Sequence, residues 1–346
     1  MIRINEVLYT SAIICTEGKK NCSSMAKSLN MSHDSLVRCL YSPKIQICSL
    51  KEGLIAKANK IAASENEKII LIIDEVLISK EYSRLIRGSS DLYNHVARRE
   101  VRSICAVFAM VVIGETSIPF TFELYFHRDY DLKRHKTKRE LALNIIQECI
   151  KLGLEVDHVA ADAHYATKVI VSTMKSKEIS FISRAKSNYS INVDGIVAQI
   201  KNHSKLKLNK NARMITVKAI WGGQYVFITT VKLKKHFNEY EYIYLISTYE
   251  CDANKVFELY KKRWKIEMFF RTAKQSLGMT DCQCRSKDSQ IKHLCYIVCA
   301  YVFLQLERIK SKLASIEDAR KLIQELKIDI IMQELSRLDW INYVAA

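Results

Sequence analysis

Apolar positions along this chain change period several times, and the changes divide it. Residues 1–65 carry apolar side chains at helical spacing among polar ones and predict a helical N-terminal region. Within it, CSSMAKSLNMSHDSLVRCL (Cys22–Leu40) has the form of a helix-turn-helix. Ser23 or Ser24 caps a short helix with Met25, Ala26 and Leu29 on one side, Asn30-Met31 makes the turn, and Ser32 caps a second helix with Leu36, Val37 and Leu40 inward. His33, Ser35 and Arg38 would then face a groove, although a plain helical cap has the same pattern.

From residue 66 to 187 the period shifts toward strands. KIILIID (Lys68–Asp74) is a continuous apolar run ending in a carboxylate, as expected of a buried strand with a polar tip. Arg102–Ile113 and Ser117–Phe126, joined around Gly114-Glu115-Thr116, predict a β-hairpin. A helix over Lys138–Leu152 follows, then a short strand, Val156–Asp162, that again ends in an aspartate. Helix 165–176 and strand Ile179–Ala185 complete the run. This is an α/β order, and ligands of open α/β sheets sit at the carboxyl ends of strands, where Asp74 and Asp162 fall.

Residues 188–248 interrupt the alternation. Ala212–Trp221, Gln224–Leu233 and Tyr240–Thr248 read as strands, the first two separated by Gly222-Gly223. Charge changes the picture here. Between 188 and 240, nine Lys and Arg stand against Asp194 and Glu239, so the stretch carries +7 of the chain's net +17. An excess of that size repels itself unless a polyanion is the partner, and nucleic acid is the first candidate. Lys205, Lys207, Lys210 and Arg213 are the candidates for backbone contact.

An anionic membrane is the weaker alternative. The longest apolar stretches, Ile104–Gly114 and Leu294–Leu306, fall short of the roughly 20 residues a span needs. The N-terminus lacks a signal-peptide pattern, and a cytoplasmic, nucleoid-associated protein is expected. Eleven cysteines are scattered and odd in number, which suits reduced thiols. Cys282-x-Cys284 with His293, Cys295 and Cys299 lacks the gap of ordinary zinc sites, so packed cysteines are expected there.

Residues 249–285 hold the densest chemistry. A helix from about Asn254 to Leu277 contains YKKRWKIEMFFRTAK (Tyr260–Lys274). At about 100° per residue, Tyr260, Arg263, Glu267 and Lys274 fall in a stripe about 60° wide. Phe257, Trp264, Met268 and Leu277 are left for apolar packing elsewhere. Spacing alone is equally compatible with an exposed face stitched by ion pairs.

The arrangement Tyr-x2-Arg-x3-Glu-x6-Lys resembles the signature of DDE transposases of bacterial insertion sequences, and the chain is similar to the insertion-sequence-four family or a near relative. The segment around Asp74, with Glu75 and Lys80 after it, resembles the family's first block. The segment from Asp162 to a strand ending in Arg184 and Lys186 resembles its second-aspartate block. The likeness covers roughly 65 to 285. It implies an RNase H-like mixed sheet flanked by helices, with 188–248 as a β-strand insertion before the glutamate-bearing helix. The helical regions 1–65 and 286–346 lie outside it.

The resemblance implies cut-and-paste transposition. Asp74, Asp162 and Glu267 would be the catalytic carboxylates and the ligands of two Mg²⁺ ions, with Mn²⁺ able to substitute. Glu75, on the opposite face of the strand end, ranks behind Asp74. Tyr260, Arg263, Lys274, Arg184 and Lys186 would contact DNA, at transposon ends and target. Trp221 would be the candidate to hold an extruded base, with an ordinary core role the simpler alternative. Two readings stay open beside this one: an RNase H-like nuclease that cuts without joining, and a helix-turn-helix regulator with a relic core. Pairing two ends calls for a homodimer. Residues 312–346 are the candidate interface, with Ser315 capping a helix and Asp318 in its first turn. Leu322, Ile323, Leu326 and Ile330, continued by Ile331, Leu335, Leu338, Trp340 and Ile341, form its apolar face, which suits docking on the chain's own core at least as well.

Overall fold

The apolar run before Asp74 forms a strand that is longer than its sequence pattern predicts: β1 spans Ile70–Ser79 in the computed structural model. Asp74 therefore lies within the strand and not at its tip. The structure describes residues 4–41, 47–128, 135–209, 211–235, 239–326 and 328–338. Lys210, Trp340 and Ile341 lie outside the described residues. The chain separates into two compact units, one of Met1–Glu67, Glu75–Leu154 and Ile266–Ala346, the other of Lys68–Asp74 and Glu155–Lys265. The division falls inside β1, directly after Asp74.

The first unit is mainly helical. It contains α1 (Ile4–Cys15), α2 (Cys22–Ser28), α3 (His33–Tyr41) and α4 (Ile47–Glu65). The α2–α3 pair has the expected turn, with Asn30 at φ 49°, but Asn21 and not Ser23 or Ser24 caps α2, accepting from the Ser24 amide. His33 and Arg38 are exposed and Ser35 is half-buried. Strands β2 (Ser90–Asn94) and β3 (Arg99–Ile113) follow, then β4 (Thr116–Tyr125). β3 and β4 are the predicted hairpin, paired from Cys105↔Tyr125 to Ile113↔Thr116. Helix α5 (Lys138–Lys151) begins with a complete capping box between Thr137 and Glu140.

The centre of this unit is α9 (Lys287–Lys310), buried from Ser289 to Gln305 at every position except Ile291. A helix that is apolar all round must be enclosed, and α1, α3, β4 and α10 (Ile316–Gln324) pack on it. Ser315 caps α10 in a capping box with Asp318. α10 and α11 (Ile328–Ser336) both pack on α1, so the C-terminal segment docks on its own unit. Ile323, Ile331 and Leu335 are buried in that contact, while Leu322, Leu326 and Ile330 are not. Among the described residues no helix is long and apolar enough to cross a membrane.

The second unit is a sheet of order β1-β5-β6-β11-β10-β9-β7-β8. β5 (His158–Ala161) and β6 (Ser180–Arg184) run parallel to each other and β5 runs parallel to β1. Helix α6 (Lys168–Ser176) links them. β7 (Ser190–Val193), β8 (Ile196–Gln199), β9 (Met214–Trp221), β10 (Gln224–Lys234) and β11 (Tyr240–Ser247) come from the 188–248 stretch. They are no separate module: β11 pairs antiparallel with β6 and extends the same sheet. Gly222 and Gly223, at φ 60° and 82°, make the two-residue turn that suits the strand twist between β9 and β10. One face packs on α7 (Ala253–Lys261) through Ile182, Val231, Ile243, Leu245 and Val256.

The helix expected over Asn254–Leu277 is two helices. α7 ends at Lys261, and α8 spans Trp264–Gln275. Between them the backbone tightens to i→i+3 bonds: Lys262 to Leu259 at 3.2 Å, Arg263 to Tyr260 at 3.0 Å and Lys265 to Lys262 at 3.0 Å.

Candidate active site

Register is the first fact about the site. Ile73 pairs with Ala161 at the last rung between parallel β1 and β5. The next residues are Asp74 and Asp162, so the two carboxylates stand side by side, about 5 Å apart at the backbone. The ladder stops there because the chain turns after Asp162, whose carbonyl accepts from the Tyr165 amide at 2.9 Å. Ser183, on the neighbouring β6, donates its hydroxyl to the same Asp162 carbonyl at 2.9 Å. Sequence reasoning missed Ser183; its place one residue before Arg184 was the only signal.

Arg263 sits at the helix break and donates from Nη1 to Asp74 Oδ2 at 2.7 Å. Both side chains are mostly buried, which strengthens the pair. Tyr260 lies one turn earlier. Burial pushes its hydroxyl above the usual tyrosine range; the Arg263 guanidinium opposes that rise and the Asp162 carboxylate adds to it. Tyr260 therefore stays protonated, and its oxygen accepts from the Arg263 guanidinium. Arg184 also faces Tyr260 electrostatically and pairs with Glu241 at 3.2 Å. Asp74, Asp162, Arg184, Tyr260 and Arg263 are thus brought to one end of the second unit's sheet.

The helix break changes the expected four-residue stripe. Tyr260 and Arg263 belong to the end of α7 and the turn, whereas Glu267 and Lys274, seven residues apart, share one face of α8. Glu267 lies half-buried in the first turn of α8 and Lys274 is exposed near its end. The apolar side of α8 also differs from expectation. Ile266, Phe269, Phe270 and Ala273 are buried with Leu277, while Trp264 is 54 % and Met268 39 % exposed. An exposed tryptophan directly after Arg263 is a second feature that the sequence pattern concealed. Glu75 pairs with Lys138 at 3.1 Å in the first unit, away from the Asp74 role, as its opposite strand face requires.

Other candidates are dispersed. Lys186, Lys207 and Arg213 are exposed, and Lys205 is held by Asp194 at 3.7 Å. Trp221 is 9 % exposed and stacks on Tyr189 with ring centroids 5.1 Å apart, so it is a packed side chain and not an open platform for a base. Lys80 is buried, with its ammonium donating to the carbonyls of Thr280 at 2.9 Å and Cys282 at 2.7 Å; it pins the loop after α8. His293 is held by the Tyr9 hydroxyl at 3.1 Å and accompanies the Gly278 carbonyl at 2.9 Å. Cys282, Cys295 and Cys299 are buried thiols, as packing predicts.

Among the described residues, no group of three or more His, Cys, Asp or Glu is assembled to hold a metal ion. The donor chemistry of the Asp74–Asp162 pair nevertheless suits a hard divalent cation, since adjacent carboxylates offer oxygen ligands only. As it stands, the Arg263 guanidinium supplies positive charge at Asp74.

Asp74 and Asp162 beside the Arg263 guanidinium are groups whose chemistry suits a hard cation and a phosphate. Residues 120–303 match the family model of the transposase DDE domain, and residues 3–202 match that of the DDE superfamily endonuclease, each over more than half of the chain. The chain belongs to the DDE transposases. Asp162 lies within both matches, Asp74 within the second and Glu267 within the first. The mixed sheet with flanking helices is consistent with the RNase H-like superfamily. No curated protein matches the chain.

Proposed function

We propose that the chain is a cut-and-paste transposase of the insertion-sequence-four type, cleaving DNA at the ends of its element and joining them to a target. The observation that carries this reading is the register that sets Asp74 beside Asp162 with Arg263 and Tyr260 against them. The Tyr-x2-Arg-x3-Glu-x6-Lys spacing supports the family placement and adds Glu267 as the third carboxylate. Asp74, Asp162 and Glu267 would hold two Mg²⁺ ions, which when bound supply charge for the attacking and leaving oxygens and lower the pKa of water.

The chain's own groups perform the rest. Arg263, held at Asp74 by its Nη1, is the guanidinium that would meet a phosphate there. Tyr260, kept protonated by burial, donates a hydrogen bond to a phosphate oxygen. Arg184, Lys186 and Lys274 add positive charge along the strand path, and Lys205, Lys207, Lys210 and Arg213 hold the backbone farther out. Two ends must be paired, so the active complex is a homodimer.

Asp74→Asn, Asp162→Asn and Glu267→Gln each remove a charge with little change of shape. Each is expected to abolish Mg²⁺-dependent cleavage of DNA carrying the element's own ends while binding persists. Near-normal cleavage by any one variant removes that residue from the site. Cleavage without joining by the native chain would favour the nuclease alternative.

A further inference from the structure

Alternate positions of β11 place Tyr240, Tyr242 and Tyr244 on one face of the second unit's sheet, opposite the face that Ile243 and Leu245 bury against α7. The strand register puts Lys234 across from Tyr240 and Lys232 across from Tyr242 on β10. Tyr240 is 50 % and Tyr242 47 % exposed, and the Lys232 ammonium lies 4.0 Å from the centroid of the Tyr240 ring. Three phenol rings at every second residue, with two ammonium groups beside them, form a ladder about 13 Å long.

β11 runs antiparallel to β6, with Leu245 opposite Arg184, so Tyr240–Tyr244 extend from the sheet end where Arg184 closes β6. β6 is parallel to β5 and β5 to β1, so Asp162 and Asp74 lie toward that same end, on the α7 face with Arg184, and the ladder occupies the opposite face. Glu241, between the first two rings, is tied to Arg184 at 3.2 Å and to Lys235 at 3.4 Å and so faces away from the ladder.

We propose that Tyr240, Tyr242 and Tyr244, with Lys232 and Lys234, form a stacking platform for unpaired nucleotides of single-stranded DNA. Phenol faces accept any base, and ammonium groups at the same spacing meet the phosphates between them. A duplex keeps its bases stacked on one another and meets only the lysines. The platform therefore distinguishes single from double strand and not one sequence from another. This inference rests on the reading of the chain as a DNA-processing enzyme, but it concerns binding and not cleavage.

The test uses the full chain in EDTA, so that no cleavage enters the measurement. Fluorescence anisotropy compares a labelled oligothymidylate of about 15 nucleotides with a duplex of the same length. The double variant Tyr240→Leu/Tyr242→Leu is expected to bind the single strand about 100-fold more weakly, roughly tenfold per ring, and the duplex within about threefold of the native chain. Tyr240→Phe/Tyr242→Phe keeps the rings and should stay within about threefold on both ligands. Lys232→Gln/Lys234→Gln should flatten the single-strand salt slope by about 1.4. Unchanged single-strand binding by the leucine variant overturns the platform. So does an equal loss on single strand and duplex, or a phenylalanine variant as weak as the leucine one. Asp74→Asn serves as the separating control. If it still cleaves, the catalytic assignment fails while a ring-dependent single-strand affinity leaves the platform standing; if the rings do not matter, the platform fails whatever the carboxylates do.

Discussion

α9 in the first unit and β9–β11 in the second place their side chains in opposite ways. α9 is enclosed on every side over most of its length, and even its polar members are held: Gln290 donates to the carbonyls of Cys282 and Cys284 at 3.2 and 2.7 Å, and His293 contacts Tyr9 and Gly278. The β9–β11 strands bury one face on α7 and leave rings and ammonium groups on part of the other. The first arrangement resists change, because every side chain has neighbours on all sides. The second leaves groups available for a ligand at little cost to stability. Within one chain, stability and binding are thus assigned to different elements.

The largest expected effect tests the enclosed side of that contrast. Phe269 of α8 is fully buried in the first unit and meets Phe108 at 5.5 Å and Tyr301 at 4.9 Å between ring centroids. Phe269→Ala should lower the unfolding free energy by about 4 kcal/mol in urea denaturation. Tyr242→Ala on the open face should cost less than about 1 kcal/mol. Similar losses from both would erase the distinction.

Acid tests the two units together. Burial holds His293 of the first unit and His158 of the second down to a pKa of about 4, with the Lys68 ammonium adding to the effect at His158. Each is neutral when folded and takes up a proton more readily when unfolded, near pH 6.5. The unfolded state therefore binds more protons between those values, and stability is present above about pH 6.5 and lost as pH falls toward 4. The loss is roughly 3 kcal/mol for each histidine. The slope of stability against pH in this window should shrink in His293→Gln, if the variant folds, and in His158→Phe. A slope that neither variant alters would mean that these histidines are not the acid-sensitive groups.

Smaller effects belong to the caps. Thr137 accepts from the Glu140 amide at 3.3 Å and Ser315 from the Asp318 amide at 3.1 Å, both in the first unit. Thr137→Ala or Ser315→Ala should each cost about 1 kcal/mol. Thermal unfolding of the Ser315 variant also asks whether α10 shares the cooperative unfolding of the enclosed region. A separate, earlier transition would show that it does not.

These features differ in how far they could be read from residues alone. Both capping boxes, the Gly222-Gly223 turn and the β3–β4 hairpin depend on neighbours a few positions away, and so they appear in the linear pattern. The Tyr260, Arg263, Glu267 and Lys274 spacing was equally visible, but its angular reading assumed one uninterrupted helix. The break at Lys262-Arg263 has no glycine or proline to announce it. Its partner is Asp74, 189 residues away, and an interaction at that separation leaves no local trace.

The sequence by itself determined the type and order of most elements, the Ser315 cap, the Gly222-Gly223 turn, the +17 charge and the aspartates that end two apolar runs, because propensity and periodicity act within a turn or a strand. Tertiary structure alone decided which strand neighbours which, and through that the Asp74–Asp162 juxtaposition. It also decided that Trp221 is packed while Trp264 is open, and that three tyrosines of β11 face outward together. Whether an aromatic is core or platform depends on what the rest of the chain lays over it, and that covering comes from residues far away in sequence.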